Sequence, residues 1–195
     1  MNNKTPIIIL IVVTIIALWG IGKYNTIAMS QENVDKTWGD VENYYQRRAD
    51  LIPNLVSTVK GYASHESSTL EAVINARAKA TQITIDPANA TPEQLEAYQK
   101  AQGELSQALG KLLSVTEAYP DLKANDNFKT LMTQLEGTEN RIAVARRSFN
   151  EETKAFNSLI VTFPNNMIAS LGGFHRRAYF EAEEEAKSAP KVSFD

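Results

Sequence analysis

The most conspicuous feature of the hydrophobic pattern is an uncharged, almost wholly apolar stretch from Pro6 to Gly22. As a helix this stretch would be about 26 Å long at about 1.5 Å per residue, slightly less than a hydrocarbon core of about 30 Å. Snorkelling by Lys4 and Lys23, with Trp19 at the interface, can supply the difference. We therefore predict that residues 1–22 form a transmembrane anchor whose partner is membrane lipid.

The cleavage and the orientation of this segment stay open at the level of the sequence. A cleaved signal peptide has a similar composition, but Gly20-Ile21-Gly22 offers a poor cleavage pattern, and helix-forming sequence continues directly past it. Lys4 and the amino terminus precede the segment, whereas Lys23 and Lys36 follow it. The positive charges are therefore too evenly divided to set the topology.

Beyond the anchor, apolar positions recur at alternating spacings of three and four residues, which is typical of a helix with one packed face. The pattern predicts a first long helix from Ile27 to Arg77. Pro53 lies inside this run and removes the hydrogen bond to the carbonyl group of Ala49, so the helix must kink there or restart with Asp50 as its cap. The predicted stripe comprises Ile27, Gln31, Val34, Trp38, Val41, Tyr45, Arg48, Ile52, Leu55, Val59, Tyr62, Glu66, Thr69, Val73 and Arg77.

A second helix is predicted after the turn-like composition of residues 85–90. Thr91 stands at its N-cap, Pro92 at its first position, and Gln94 completes a capping box. We expect this helix to end at Tyr119-Pro120. Its predicted packed positions are Leu95, Tyr98, Gln102, Leu105, Leu109, Leu112 and Thr116.

A third helix is predicted from Phe128 to Phe163, after a turn at residues 120–125. A short apolar piece from Met167 to Leu171 follows, closed by Gly172-Gly173 as a C-cap signal. We expect a further short helix from Phe174 to Lys187. The packed positions of the third helix are Phe128, Leu131, Leu135, Thr138, Ile142, Ala145, Phe149, Glu152, Phe156, Leu159 and Phe163.

The helical runs show no strand-type alternation, so the predicted fold class is all-α. We expect an N-terminal transmembrane helix followed by an antiparallel bundle of long helices, of the four-helix up-and-down type. The bundle is placed at residues 23–187, which is enough chain to bury a core of its own. An extended C-terminal tail is placed at residues 188–195.

Composition narrows the function classes further. The chain has 195 residues, 22% of them charged, and a net charge of −3, which becomes −4 without the first 22 residues because Lys4 is their only charged residue. The absence of cysteine excludes disulfides and cysteine-ligated metal. The acidic balance is unfavourable for a sequence-independent nucleic-acid binder, which needs a basic face to displace counterions.

Known catalytic and metal-binding patterns are missing from the sequence. His65 and Glu66 begin like the zinc-protease signature, but Thr69 stands where the second histidine must be, and the remaining histidine is His175. No predicted strand precedes a glycine-rich loop, and no serine has the nucleophile-elbow context. We therefore predict no catalytic residue, no metal, no cofactor, no small-molecule substrate and no enzymatic activity.

Charged residues occupy positions on the packed stripes, where an unpaired charge would be costly to bury. In the simpler interpretation the stripe drifts around the helix, and these side chains reach the solvated edge of the bundle. In the other interpretation, Arg48 or Arg77 pairs with Glu152 or Glu66 and fixes the register or maintains a polar patch for a partner. The residues concerned are Arg48, Glu66, Arg77 and Glu152.

Aromatic and basic residues meet again near the C-terminus, at Phe174, Tyr179 and Phe180 beside Arg176 and Arg177. The favoured interpretation is that these aromatics dock on the bundle. A membrane contact is the alternative. Three successive helices rising, descending and rising from the bilayer would place this segment at the far end of the bundle, tens of ångströms from lipid at about 1.5 Å per residue.

Several long blocks make the chain resemble the bacterial LemA family. The blocks are residues 44–56, 59–66, 135–147, 149–151, 163–166, 179–182 and 189–194. Phe149 is a mild departure, since tyrosine is the more usual residue there. The resemblance implies a single-pass protein of the bacterial cytoplasmic membrane, with a helical bundle, no established enzymatic activity and no catalytic residues to carry over. It also favours a cytoplasmic location for the bundle.

Two functional hypotheses follow. The first is a scaffold or interaction module at the cell envelope, whose partners are further copies of the chain or other envelope proteins. Its expected contact surface is the segment from Gln46 to Asn54, where Arg47, Arg48, Asp50 and Asn54 can make directional bonds beside Pro53. The alternative is an accessory subunit of a membrane enzyme such as a protease or hydrolase.

Overall fold

The computed structural model describes residues 4–181 and contains six helices and no strand within that range. The all-α prediction is confirmed, and the C-terminal tail predicted at residues 188–195 lies outside the described residues. The helices are α1 (Lys4–Tyr62), α2 (Ser67–Gln82), α3 (Pro92–Thr116), α4 (Pro120–Ala124), α5 (Asp126–Val161) and α6 (Asn165–Gly172).

The first long helix differs from its prediction at two points. α1 continues through Pro53, so the predicted restart at Asp50 is wrong. The expected continuation to Arg77 is also wrong, because α1 ends at Tyr62 and α2 begins at Ser67. The short turn between them keeps the stripe in phase, with Ala63 buried inside it, so the apolar spacing alone could not reveal the reversal.

The described chain divides into two compact units. Unit 1 comprises residues 4–45, 87–89 and 140–177, and unit 2 comprises residues 46–86, 90–139 and 178–181. α1 contributes to both units, and so does α5.

Unit 2 is built from antiparallel helical segments of α1, α2, α3 and α5. Arg77 on α2 contacts Ala49 on α1, and Gln102 on α3 contacts Ala80 near the end of α2. Between the ends of α1 and α5, Tyr62 accepts a hydrogen bond from the side chain of Asn125. The core of this unit contains Ile52, Leu55, Val59, Ala63, Leu70, Val73, Ala80, Leu105, Leu109, Leu112, Leu122, Phe128 and Leu135.

In unit 1, α5 runs antiparallel to α1 and returns towards the anchor. The rings of Trp38 and Phe149 meet edge to face at 5.3 Å, and those of Tyr24 and Phe174 meet at 5.3 Å. Phe174 therefore lies beside the end of the anchor, and the expectation that it lies far from lipid is wrong. The count of helices in that expectation left out the reversal between α1 and α2.

The predicted start of α3 is confirmed, whereas the helix ends at Thr116, before the predicted stop at Tyr119-Pro120. Thr91 accepts a hydrogen bond from the backbone N–H of Gln94, whose side chain accepts one from the backbone N–H of Thr91, completing the capping box. All seven predicted packed positions of α3 are buried. The predicted turn at residues 120–125 is instead mostly helix α4, because Pro120 suits a first helical position.

The region after α5 departs most from prediction. α5 ends at Val161, so Phe163 lies in the following turn and is exposed instead of packed. Gly173 has a φ of 72°, which confirms the predicted glycine cap of α6. Residues 174–181 are not helical, so the helix predicted from Phe174 to Lys187 is wrong over that part, and its remainder lies outside the described residues.

The apolar start of α1 has the properties of a membrane-spanning segment. Among the described helices, α1 alone is long and apolar enough to cross a membrane, and none of its most apolar 18-residue window is buried. Full burial begins at Ile27, which is the first buried residue of α1. These properties indicate a membrane anchor.

Candidate functional site

The polar centre of unit 2 is the side chain of Arg48, which is only 1% exposed. Arg48 lies between Tyr45 and Ile52 on the packed stripe of α1, and both neighbours are buried as well. The helical spacing therefore directs the guanidinium into the core. The expectation that the charged stripe positions reach the solvated edge is wrong for this residue.

The guanidinium group of Arg48 is held by two helices. Its Nη1 donates to Ser106 Oγ at 2.7 Å and to Glu139 Oε1 at 2.8 Å. Its Nη2 donates to the side-chain and backbone oxygens of Gln102, at 2.6 and 3.2 Å. Its carboxylate partner is thus Glu139 on α5, and neither Glu152 nor Glu66 as proposed. Glu139 keeps 38% of its side chain exposed, so this carboxylate retains contact with water.

Gln102 extends the cluster to a fourth helix. While its Oε1 accepts from Arg48, its Nε2 donates to the carbonyl oxygen of Ala80 at 3.2 Å. Ala80 lies in the last turn of α2, where carbonyl groups have no intrahelical donor. One buried amide therefore binds the arginine and completes a helix end, and the cluster of Arg48, Gln102, Ser106 and Glu139 connects α1, α2, α3 and α5.

Arg77 makes a different contact, to the backbone of α1 close to Pro53. Because Pro53 has no N–H, the carbonyl group of Ala49 lacks its usual partner four residues later. Arg77 Nε donates to that carbonyl oxygen at 2.7 Å. The charged residue on the stripe of α2 thus completes the hydrogen bonding of α1 at the place where Pro53 interrupts it.

Glu66 immediately precedes α2 and accepts a hydrogen bond from the phenolic hydroxyl of Tyr119 at 2.8 Å. This bond raises the pKa of the Tyr119 hydroxyl, because the neutral phenol is the donor and the carboxylate opposes a second negative charge. The contact joins the turn after α1 to the end of α3. It is a polar contact of the fold, with no cofactor role evident.

The remaining predicted residues are distributed over two places. The side chains of Arg47, Asp50, Pro53 and Asn54 are exposed on α1, and Asp50 accepts a hydrogen bond from Gln46 at 2.8 Å. The side chain of Glu152 is half-buried and belongs to unit 1. Their role in binding a partner stays a prediction.

A second buried arginine, Arg177 in unit 1, was missed by the sequence reasoning as a site residue. Its backbone N–H donates to Asn157 Oδ1 at 2.8 Å, and its carbonyl oxygen accepts from Asn157 Nδ2 at 2.9 Å. Its guanidinium lies 3.6 Å from Asp35 and stands over the ring of Phe156 at 6.0 Å. The sequence contains no signal that Asn157, a residue of α5, forms hydrogen bonds with the backbone of the irregular segment around Arg177.

Sequence reasoning also missed the roles of Gln102, Ser106 and Glu139. Gln102 carried a detectable signal, since it is a polar residue on an otherwise apolar stripe. In the cluster around Arg48, the hydrogen-bond donors and acceptors are directed at each other. This geometry holds helices together inside the fold. Within residues 4–181, no three His, Asp or Glu side chains form a group suited to a metal ion.

Comparison with known proteins gives consistent matches over most of the chain. A sequence model of the LemA family matches residues 37–194. Two proteins of Paramagnetospirillum magneticum, named magnetosome protein MamQ 1 and MamQ 2, are each 30% identical over 188 residues, covering 88% of this chain and 69% of theirs. Protein LemA of Metamycoplasma hominis is 26% identical over 164 residues, covering 84% of this chain and 71% of its own length. None of these names denotes an enzyme.

Proposed function

Since the chain belongs to the LemA family, we propose that it is a membrane-anchored scaffold or interaction module of the bacterial cell envelope, without catalytic activity of its own. The observation that carries this proposal is the continuity of α1. The same helix that exposes an apolar window long enough to cross a membrane continues without interruption into the packed stripe that begins at Ile27. The anchor is therefore an integral part of the folded domain, which supports its retention over its removal as a signal peptide.

The use of the polar side chains supports the same proposal. Arg48 and Gln102 are directed at each other, and Arg77 is directed at a backbone carbonyl group. These residues stabilise the fold and have no free donor set aimed at a shared cavity. By contrast, Arg47 and Asn54 are exposed on one stretch of α1, where they are available to a protein partner.

The proposal places the chain in the cytoplasmic membrane as a single-pass protein with its bundle in the cytoplasm. The location of the bundle is tested by fusing a reporter that is active on only one side of the membrane to the C-terminus. Activity of a periplasmic reporter would overturn this part of the proposal and leave the scaffold role to be tested separately.

The scaffold role is tested by site-specific photo-crosslinking of the full chain in its native membrane. A photoreactive side chain replaces Arg47 or Asn54, and the matched control carries it at Glu96, an exposed residue of α3. We expect a reproducible adduct of defined mass from positions 47 and 54, and much less of it from position 96.

The identity of the adduct separates the functional hypotheses. A mass of two chains indicates a homo-oligomeric scaffold, and an adduct with another non-enzymatic membrane protein indicates a heteromeric one. An adduct with a membrane protease or hydrolase would overturn the scaffold in favour of an accessory subunit. The absence of an adduct from either position would contradict the proposed contact surface.

A further inference from the structure

The short helix α6 lies beside the membrane-spanning part of α1, within unit 1. A Cβ atom built on Gly20 would be 3.8 Å from Cδ1 of Ile168, and one built on Gly172 would be 3.1 Å from the ring of Tyr24. The middle and the C-terminal end of α6 thus lie close to α1 at the level where the apolar segment ends. If Pro6 to Gly22 cross the hydrocarbon core, Ile168 must lie at the boundary of that core.

Three large apolar side chains are exposed in this region. Phe163, Met167 and Leu171 are 76%, 58% and 86% exposed, although all three are large hydrophobic residues. Met167 and Leu171 are one turn apart on α6, while Asn165 and Ala169 on the other side of the helix are buried. The exposed side of α6 therefore carries two large apolar residues, Met167 and Leu171, next to the small polar residues Asn166 and Ser170, and no charged residue.

The distribution of charged residues around α6 agrees with a position at the boundary of the hydrocarbon core. From Ala155 to His175 the sequence contains no Asp, Glu, Lys or Arg, and the exposed Arg176 follows directly. An uncharged segment bounded by a basic residue is the arrangement expected at the boundary between acyl chains and phosphate headgroups.

We propose that α6 and the turn before it form a second membrane contact, in which Phe163, Met167 and Leu171 insert into the interface of the same leaflet that receives the end of the anchor. Lipid is the occupant because the helix that carries Met167 and Leu171 lies beside the exposed apolar segment of α1, through Ile168 and Gly172. Arg176 lies where it can meet anionic headgroups. The contact would also fix how α1 enters the bilayer, since α6 packs directly against Gly20.

The proposal rests on the membrane anchor of the proposed function, and the test separates the two. Because the chain has no cysteine, each single substitution creates one labelling site. Phe163→Cys, Met167→Cys and Leu171→Cys carry an environment-sensitive fluorophore in the full chain, reconstituted in phosphatidylethanolamine and phosphatidylglycerol vesicles. Val12→Cys is the control for the anchor, and Val144→Cys is the matched control for an exposed apolar residue of α5 away from α6.

We expect the three labels in the α6 region to emit at shorter wavelength than the label at position 144. They should also be quenched by nitroxides attached near the lipid headgroup, with several-fold less quenching by aqueous iodide. Labels at these positions that behave like position 144, while position 12 reports lipid, would overturn the second contact and leave the anchor intact. Protection of the labels at positions 163, 167 and 171 from both quenchers would show that protein covers them, and would overturn lipid as the occupant. Exposure of the label at position 12 to iodide would overturn the anchor itself.

Discussion

Arg48 in unit 2 and Arg177 in unit 1 are both buried, but they are held in opposite ways. The side chain of Arg48 provides the contacts, with a carboxylate, an amide and a hydroxyl around its guanidinium. For Arg177 the shortest bonds are those of its backbone to Asn157, and its guanidinium is 3.6 Å from Asp35. Burial of a charged residue therefore does not by itself show that its charge stabilises the fold.

The difference follows from the local chain. Arg48 is in the middle of a helix, so its backbone groups are already paired and only its side chain can contact other helices. Arg177 is in an irregular segment, where buried backbone groups need partners from elsewhere, and Asn157 supplies both a donor and an acceptor.

The largest effect should come from Arg48→Leu. This change leaves Gln102 without its arginine partner and removes the ion pair to Glu139, so we expect a loss of about 3 kcal/mol in the free energy of unfolding. Urea unfolding of the full chain in detergent, followed by far-UV circular dichroism, measures it. The exposed neighbour is the control, and Arg47→Leu should change the stability by less than about 0.5 kcal/mol. Equal free energies of unfolding for the two variants would refute the stabilising role of the buried contacts of Arg48.

Asn157→Ala should have the next largest effect, a loss of about 2 kcal/mol, because two buried backbone groups of Arg177 lose their partners. Arg177→Leu keeps both backbone bonds and should cost only about 1 kcal/mol. The same urea titrations rank the two variants, with Ser158→Ala as the exposed control. If Arg177→Leu proved as damaging as Arg48→Leu, the contrast between the two arginines would fail.

The contact between Arg77 and Ala49 should be sensitive to Pro53. Arg77→Leu alone is expected to cost about 1.5 kcal/mol, because it leaves a carbonyl group of α1 without a donor. In a Pro53→Ala background the new N–H can donate to Ala49, so the same change should cost clearly less. A double-mutant cycle of unfolding free energies measures the difference. An identical cost in both backgrounds would show that Arg77 does not substitute for the missing bond.

The smallest expected effect on stability comes from the hydrogen bond of Tyr119 to Glu66, and its pH dependence appears only at alkaline pH. The pKa of Tyr119 is raised in the folded chain by the hydrogen bond to Glu66. The stabilisation is therefore complete below the ordinary tyrosine pKa of about 10 and is lost as the pH rises through the higher folded value. The ultraviolet difference titration between the parent chain and Tyr119→Phe isolates this group. We expect Glu66→Gln to lower its pKa, and an unchanged midpoint would contradict the assignment.

Much of the fold was predictable from the sequence because its signals are local. The spacing of the α3 stripe predicted seven of the eight buried positions on that helix, all except Ala101, and Thr91 and Gln94 predicted its start. The turn at residues 63–66 was not predictable from spacing, since four residues of turn preserve the phase of the stripe. α4 was missed because Pro120 was interpreted as the end of one helix, whereas it is the first residue of the next.

The candidate site was predictable only in part. A charge on an apolar stripe identified Arg48 as a residue that needs a partner, but many carboxylates on other helices could have filled that place. Choosing Glu139 required the alignment of α1 and α5, which depends on tertiary packing. The assignment of Arg77 to Ala49 follows from Pro53 only once α2 is known to turn back beside α1.

The short distance between the anchor and the first packed residue has a consequence for encounters in the membrane. Only residues 23–26 separate Gly22 from Ile27, and all of them are helical. With no flexible linker, the part of unit 1 that is buried from Ile27 onward is held at a fixed distance from the membrane-spanning segment of α1. For the scaffold proposed above, encounters with other anchored proteins would therefore be two-dimensional, and the bilayer would already have removed much of the orientational entropy lost on association. Weak side-chain contacts can then suffice for assembly, provided that both partners present their surfaces at the same height.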